Sequence, residues 1–418
     1  MQHAPPHSSH HSTHPSAHHG THARKLSRVC APRVGLAQIG LGLPSVDEMV
    51  DRFWSVRDRL MASASFRRWA AAFPLTRPIA RRRSRDLFDL CAGFVYSQVL
   101  LACVRLRLFD ILAEHSMTAH ELSRRLGMAE EATERLLRAA VSLRLLARRG
   151  DDRFGLGPLG AALVGNPGVA AMVEHHAMLY DDLRDPVALL RGEGKTALSS
   201  YWPYAGAGHP SDLTAGDVSS YTALMAASQP LIAEEVLGAY PLNRHRRLMD
   251  VGGGDGAFLA AAAERAPDLE VVLFDLPAVA ERAKLRFQSA GLQDRATVIG
   301  GDFLSNPLPK GADALSLVRV LHDHDDCEAL TILRAARQAL APDGTLLIAE
   351  PMAEAPGAHP VGDAYFGFYL LAMGRGHART PHEITDLLQR AGFSSVRRHA
   401  TAMPLLTGVI TASPAKSA

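Results

Sequence analysis

Beyond residue 246 the chain alternates short apolar runs with longer amphipathic stretches. Residues 248–251, 271–274, 297–299, 314–318 and 345–349 are rich in Val, Ile, Leu and Ala, and each is short. Runs of this kind predict strands of a parallel sheet covered by helices on both faces. The fold class expected is therefore α/β, a doubly wound Rossmann-like domain whose ligand lies at the carboxyl ends of the strands.

The pattern upstream is helical. One helix is predicted over residues 86–104. Thr118 with Glu121 three positions on reads as a capping box opening a short helix that Gly127 ends. A second helix follows, with Ala132, Leu136, Ala140 and Val141 recurring on one face. Two short strand-like runs, 145–148 and 153–156, then flank the turn Gly150-Asp151-Asp152. Helix, helix and hairpin in that order describe a winged helix. Its readings are a scaffold or dimerisation module, or DNA binding through the second helix, with Arg135, Arg138 and Arg144 in reach.

The rest of the N-terminal region divides by composition. Residues 1–46 form a histidine-rich, polar stretch that buries too little apolar surface to fold, so it reads as a disordered tail. Residues 47–85 interleave Phe53, Trp54, Phe66, Trp69 and Phe73 with arginines, and Pro74 and Pro78 break any long helix there. This basic amphipathic arm fits a helical arm packed on the protein or a contact with an anionic membrane surface. The organisation expected is tail 1–46, arm 47–85, winged helix and linking helices 86–240, and catalytic domain 241–418.

Charge and cysteine content narrow the class. The formal net charge of +2 over 418 residues gives no ground for a nucleic-acid partner. Four cysteines without a Cys-x-x-Cys pair argue against a disulfide framework or a zinc site, so no metal is expected and a cytoplasmic location fits. The longest uncharged apolar stretch, 90–104, is shorter than the roughly 20 residues a membrane helix needs, so no transmembrane span is read.

The candidate chemistry lies on the predicted strand ends. Asp250 and Val251 lead into Gly252-Gly253-Gly254-Asp255-Gly256, where glycine lets the backbone turn sharply and approach a ligand. Asp275 closes the next strand, in the position that holds ribose hydroxyls in dinucleotide folds, with Leu276 after it. These features alone leave a nicotinamide enzyme open. Gly301-Asp302-Phe303 follows the third strand and offers an acid for an adenine amino group and a ring to pack on it. Arg319 and His322 follow the fourth strand, and Glu350 ends the fifth. A histidine oriented by a carboxylate is the arrangement of a general base. His324 reads as a solvated loop residue.

These ordered motifs resemble the plant-type, or hydroxyindole-type, O-methyltransferase family over roughly residues 86–410. Further stretches, including Tyr201-Trp202-Pro203-Tyr204 and Asp363-Ala364-Tyr365-Phe366-Gly367-Phe368-Tyr369, resemble one bacterial branch, the carotenoid 1-hydroxy O-methyltransferases of purple phototrophs. The resemblance implies S-adenosylmethionine as methyl donor and a homodimer built on the winged helix. It implies Asp275 at the ribose, Asp302 and Phe303 at the adenosine end, and Gly252 and Arg319 at the methionine end. It also implies His322 as base with Glu350 as its support. Two departures stand out. Asp255 occupies a position usually held by threonine, either to contact the donor's ammonium or to face away. Ala378, before Arg379-Thr380, replaces a second histidine-flanking glutamate.

The mechanism expected is direct transfer to the tertiary 1-hydroxyl of an acyclic carotenoid, with a phenolic small molecule as the alternative acceptor. A nicotinamide oxidoreductase and a winged-helix DNA-binding regulator remain as readings from other classes. An apolar acceptor cleft is expected at Tyr201, Trp202, Tyr204, Met225, Phe366 and Tyr369, with the enzyme in peripheral contact with the inner membrane.

Overall fold

In the computed structural model the sheet of the C-terminal region has the strand order β6-β5-β4-β7-β8-β10-β9. Its first five strands in chain order are β4 (Arg247–Val251), β5 (Glu270–Asp275), β6 (Ala296–Gly300), β7 (Ala314–Val318) and β8 (Thr345–Glu350). All are mutually parallel, as their apolar runs predict. The expectation of a wholly parallel sheet is corrected by β9 (Phe393–His399) and β10 (Gly408–Pro414). These join antiparallel beyond β8, so the sheet is mixed. The structure describes residues 45–202, 214–355 and 360–415; the histidine-rich segment and Tyr204 lie outside them.

Strand order reverses between β4 and β7, and the crevice of a doubly wound sheet opens at such a switch point. Buried side chains cover both faces of the sheet. One layer includes Leu315, Leu317, Ile332, Leu333 and Ile348; the other includes Val236, Phe258, Leu259, Leu273 and Phe287.

The predicted winged helix is present. Helix Ala119–Leu126 carries the capping box of Thr118 and Glu121 and ends at Gly127, in the left-handed conformation. Helix Glu130–Ser142 follows, then strands β2 (Leu146–Arg148) and β3 (Arg153–Leu156), with β1 (Met117–Thr118) pairing on β3. On the second helix Arg135 and Arg138 are paired with Glu131 and Glu134 of the same helix. These carboxylates oppose the approach of phosphate, which weakens the DNA-binding reading.

The chain divides into two units between Leu87 and Phe88. In the first, helices Val46–Ala62 and Ala64–Ala72 bury no residue. Pro74 falls in the break after the second, but Pro78 sits in the first turn of helix Arg77–Arg105 and is tolerated there. That helix starts nine residues earlier than the 86–104 pattern predicts. It is also the one helix among the described residues long and apolar enough to cross a membrane, and little of its apolar stretch is buried. Cys103 near its end is nonetheless buried in the winged-helix core, so that end is a core element of a folded domain.

Candidate active site

The glycine turn is folded over the end of β5. Gly252 and Gly254 have φ of 72° and 62°, a left-handed conformation that costs other residues about 1–2 kcal/mol. The Gly252 amide donates to the Phe274 carbonyl at 2.8 Å, and the Gly254 amide to Asp275 Oδ2 at 2.7 Å. A β-carbon on Gly252 would lie 2.9 Å from Val320, while beside Gly254 there is open space. The cleft beside this turn is lined by Trp202, Met225, Asp250, Leu276, Asp302, Phe303 and Arg319, among others.

Carboxylates dominate the cleft. Asp250, Asp255, Asp275, Asp302 and Asp323 all line it, against Arg319 and Arg375. Asp250 accepts from the Ser316 hydroxyl through Oδ1 at 2.6 Å, whereas its Oδ2 is buried with no hydrogen-bond partner among the described residues. Burial pushes the carboxyls of Asp250 and Asp275 up to about 7. Asp302 is engaged locally, accepting from the Leu304 amide and the Ser305 hydroxyl, and Phe303 meets His324 edge-on at 5.4 Å.

Asp255 lines the cleft and also accepts from Arg286 at 2.5 Å, so its charge is neutralised by helix Pro277–Ser289. It therefore ties the turn to the helix after β5. Gly301 is explained by packing, since a β-carbon there would lie 2.5 Å from the Phe274 ring; it does not line the cleft. Arg319 is a non-glycine residue at φ 60°, and its guanidinium bonds Ser228 and Met225 on helix Ala215–Ala239. His324 is not the solvated residue expected: it is half-buried, bonded to Glu328, and lines the cleft.

His322 lies on a short 3₁₀ turn, Leu321–Asp323, after β7. Its Nδ1–H donates to Glu350 Oε2 at 2.5 Å, and the other Glu350 oxygen accepts from the amides of Val320 and Leu321. One carboxylate thus holds both the ring and the turn that carries it. On the other ring nitrogen, Nε2, Asp323 Oδ1 lies 3.1 Å away. This is an ion-pair approach without an aligned hydrogen bond, and Oδ1 has no hydrogen-bond partner among the described residues. Burial opposes the imidazolium, but Asp323 and Glu350 together outweigh it and raise the His322 pKa above its ordinary value. Asp323 is raised too, by burial first, with the neighbouring His322 acting against it.

Two further features surround this turn. Buried Arg379, next to Ala378 in the chain, donates to the carbonyls of Leu321 and His324 and to Asp326, bracketing the turn that carries His322. On the far side an aromatic group faces His322: the Phe366 ring is 6.1 Å from it, with Tyr365 and Tyr369 behind. Tyr365 and Tyr369 are bonded in turn to His176 and His175, at 2.7 and 2.8 Å. Tyr201 packs 5.0 Å from His175. Of the predicted acceptor contacts, Tyr201, Phe366 and Tyr369 thus gather in this group, and Trp202 and Met225 lie on the donor cleft.

An O-methyltransferase domain model matches residues 180–394, and an O-methyltransferase dimerisation domain model matches residues 88–166. The chain belongs to the O-methyltransferase family. This O-methyltransferase is 45% identical to demethylspheroidene O-methyltransferase of Cereibacter sphaeroides, over 85% of this chain and 93% of that one. It is 42% identical to the protein of the same name from Rhodobacter capsulatus, over 81% and 84%. Among solved structures it resembles CalO1, a methyltransferase of calicheamicin biosynthesis in its SAH-bound form. That match has a TM-score of 0.66 and 26% identity, over 80% of this chain and 98% of that one. The O-methyltransferase is S-adenosylmethionine-dependent. The dimerisation domain makes the enzyme a homodimer.

Proposed function

We propose that this enzyme methylates the tertiary 1-hydroxyl of an acyclic carotenoid of the demethylspheroidene or hydroxyneurosporene type. The observation that carries the reading is His322, held between Glu350 and Asp323, the latter lining the cleft, and faced by Phe366. The names of the two relatives at 45% and 42% identity support the acceptor class.

In this reading Asp275 accepts from the ribose hydroxyls, Asp302 and Phe303 hold the adenine, and Asp250, Gly252 and Arg319 border the methionine end. When bound, S-adenosylmethionine supplies an electrophilic methyl on sulfur. His322 takes the acceptor's proton, and Glu350 stabilises the imidazolium that results. A tertiary alcohol is far less acidic than imidazolium, so proton removal accompanies methyl transfer and does not precede it. Positioning therefore supplies much of the acceleration. The hydroxyl donates to Nε2 of neutral His322, and Asp323, 3.1 Å from that nitrogen, helps stabilise the imidazolium once the proton has moved. The wall formed by Tyr201, Phe366 and Tyr369 presents ring faces to the polyene, because the Tyr369 hydroxyl is occupied by His175.

An acceptor of this kind resides in bilayers, so the protein acts from the cytoplasm in peripheral contact with the membrane. The test is product analysis: enzyme, donor and a 1-hydroxycarotenoid should yield the methyl ether, heavier by one CH₂, and His322→Ala should form it far more slowly. Unchanged yield in the variant would remove His322 from the mechanism.

A further inference from the structure

The described residues before Phe88 form helices without a core of their own. No residue of Val46–Ala62 or Ala64–Ala72 is buried, yet Phe53, Trp54, Leu60, Trp69, Phe73 and Leu75 are all exposed. The aromatic side chains are arranged in order. Trp69 stacks on Phe73 at 5.1 Å and approaches Phe66 at 5.7 Å, while the Arg57 guanidinium lies 4.1 Å from the Trp54 ring. Beyond Asp58, which pairs with Arg57, the charge is of one sign: residues 59–85 contain eight arginines and no aspartate or glutamate.

Exposed indole and phenyl rings beside a run of arginines that contains no carboxylate make a surface built for one kind of neighbour. Rings of this type settle at the boundary between headgroups and acyl chains. Guanidinium forks match phosphate oxygens in geometry as well as charge. A second copy of this arm would oppose arginine to arginine. The matched dimerisation domain starts at residue 88, so the arm lies outside it in the sequence. The match to the Cereibacter relative takes in 355 of the 418 residues and so starts no later than residue 64, which includes the whole run from Arg67 to Arg85.

We propose that residues 53–85 are a docking arm for an anionic phospholipid bilayer, with arginines on the phosphates and Trp54, Trp69 and Phe73 in the interface. The proposal rests on the polyene reading for its purpose, since it holds the enzyme at the phase that dissolves the acceptor.

Flotation of the full-length protein with phosphatidylglycerol and with phosphatidylcholine vesicles tests it. Binding should be seen with phosphatidylglycerol, weaken in high salt, and be weak with phosphatidylcholine. The variant Arg81→Ser/Arg82→Ser/Arg83→Ser/Arg85→Ser should bind at least about tenfold less, since one arginine near an anionic surface is worth roughly a fivefold factor. Trp69→Ala/Phe73→Ala should weaken binding without altering its salt dependence. Both variants should methylate detergent-dispersed acceptor like the parent and lose activity only on acceptor held in vesicles. An enzyme that methylates dispersed carotenoid but does not float would overturn the docking arm alone. Arm variants that change oligomeric state while vesicle binding persists would overturn it too. An enzyme that floats as described but methylates no carotenoid would sink the polyene reading and leave the arm standing.

Discussion

Asp323 Oδ1 stands 3.1 Å from Nε2 of His322, the ring nitrogen that Glu350 does not hold. The imidazole therefore has a carboxylate on each nitrogen, all three groups buried. Glu350 fixes the ring and its turn; Asp323 places a second carboxylate beside the nitrogen that is left to accept a proton.

The first consequence is a pH profile. His322 must be neutral to accept a proton, and its pKa is raised above the usual imidazole value. Activity should rise with pH through that raised pKa, so the acidic limb of kcat/KM lies above the ordinary histidine position. Asp323→Asn removes one of the charges that favour the imidazolium, and the limb should move to lower pH. A limb that stays in place in Asp323→Asn would separate this histidine from the profile.

Replacing the base itself should be costly. His322→Ala is expected to lower kcat by roughly 10²–10⁴-fold, the usual range for a general base. Donor affinity, measured by calorimetry, should be unchanged, because His322 does not line the donor cleft.

Arg379 should act through His322 by position. Its guanidinium spans the Leu321 and His324 carbonyls, so its loss frees the turn between them. Arg379→Ala is expected to reduce kcat by about 10²-fold, as misplacement of about 1 Å does, with a smaller effect on KM. Free guanidinium should restore part of the rate. A lowered melting temperature without any such rescue would mean that the residue serves stability alone.

Donor binding should be linked to protons. Burial raises the Asp275 carboxyl to about 7, and the neutral acid is a poorer acceptor for ribose hydroxyls than the carboxylate. Binding favours the ionised form, so donor affinity should increase as pH rises through about 7, with proton release. Calorimetry in buffers of different ionisation enthalpy would register it; an affinity flat across neutral pH would count against Asp275 as the ribose acceptor.

Much of this site is legible in the sequence because it hangs on parallel strands. Val318 pairs with Ala349, so residues just beyond those strand ends, His322 and Glu350 among them, necessarily converge. Asp323 was in plain view, yet adjacency to a histidine says nothing about a 3₁₀ turn that aims both side chains at each other. Arg379 marks a family motif, but its role depends on carbonyls more than 50 residues away. Strands β9 and β10 escaped because their pairing is nonlocal. In β9 Arg397 and Arg398 belong to an edge strand with mostly exposed alternate positions, a pattern that periodicity does not separate from loop. The histidine pairs with Tyr365 and Tyr369 are contacts between distant helices and leave no local signal.

The most direct test is transfer of a labelled methyl group from S-adenosylmethionine to a panel of hydroxylated carotenoids and phenols. The account predicts label on the tertiary 1-hydroxyl of acyclic carotenoids, with kcat/KM above that for any phenol. Label on phenols with none on the carotenoids would contradict it.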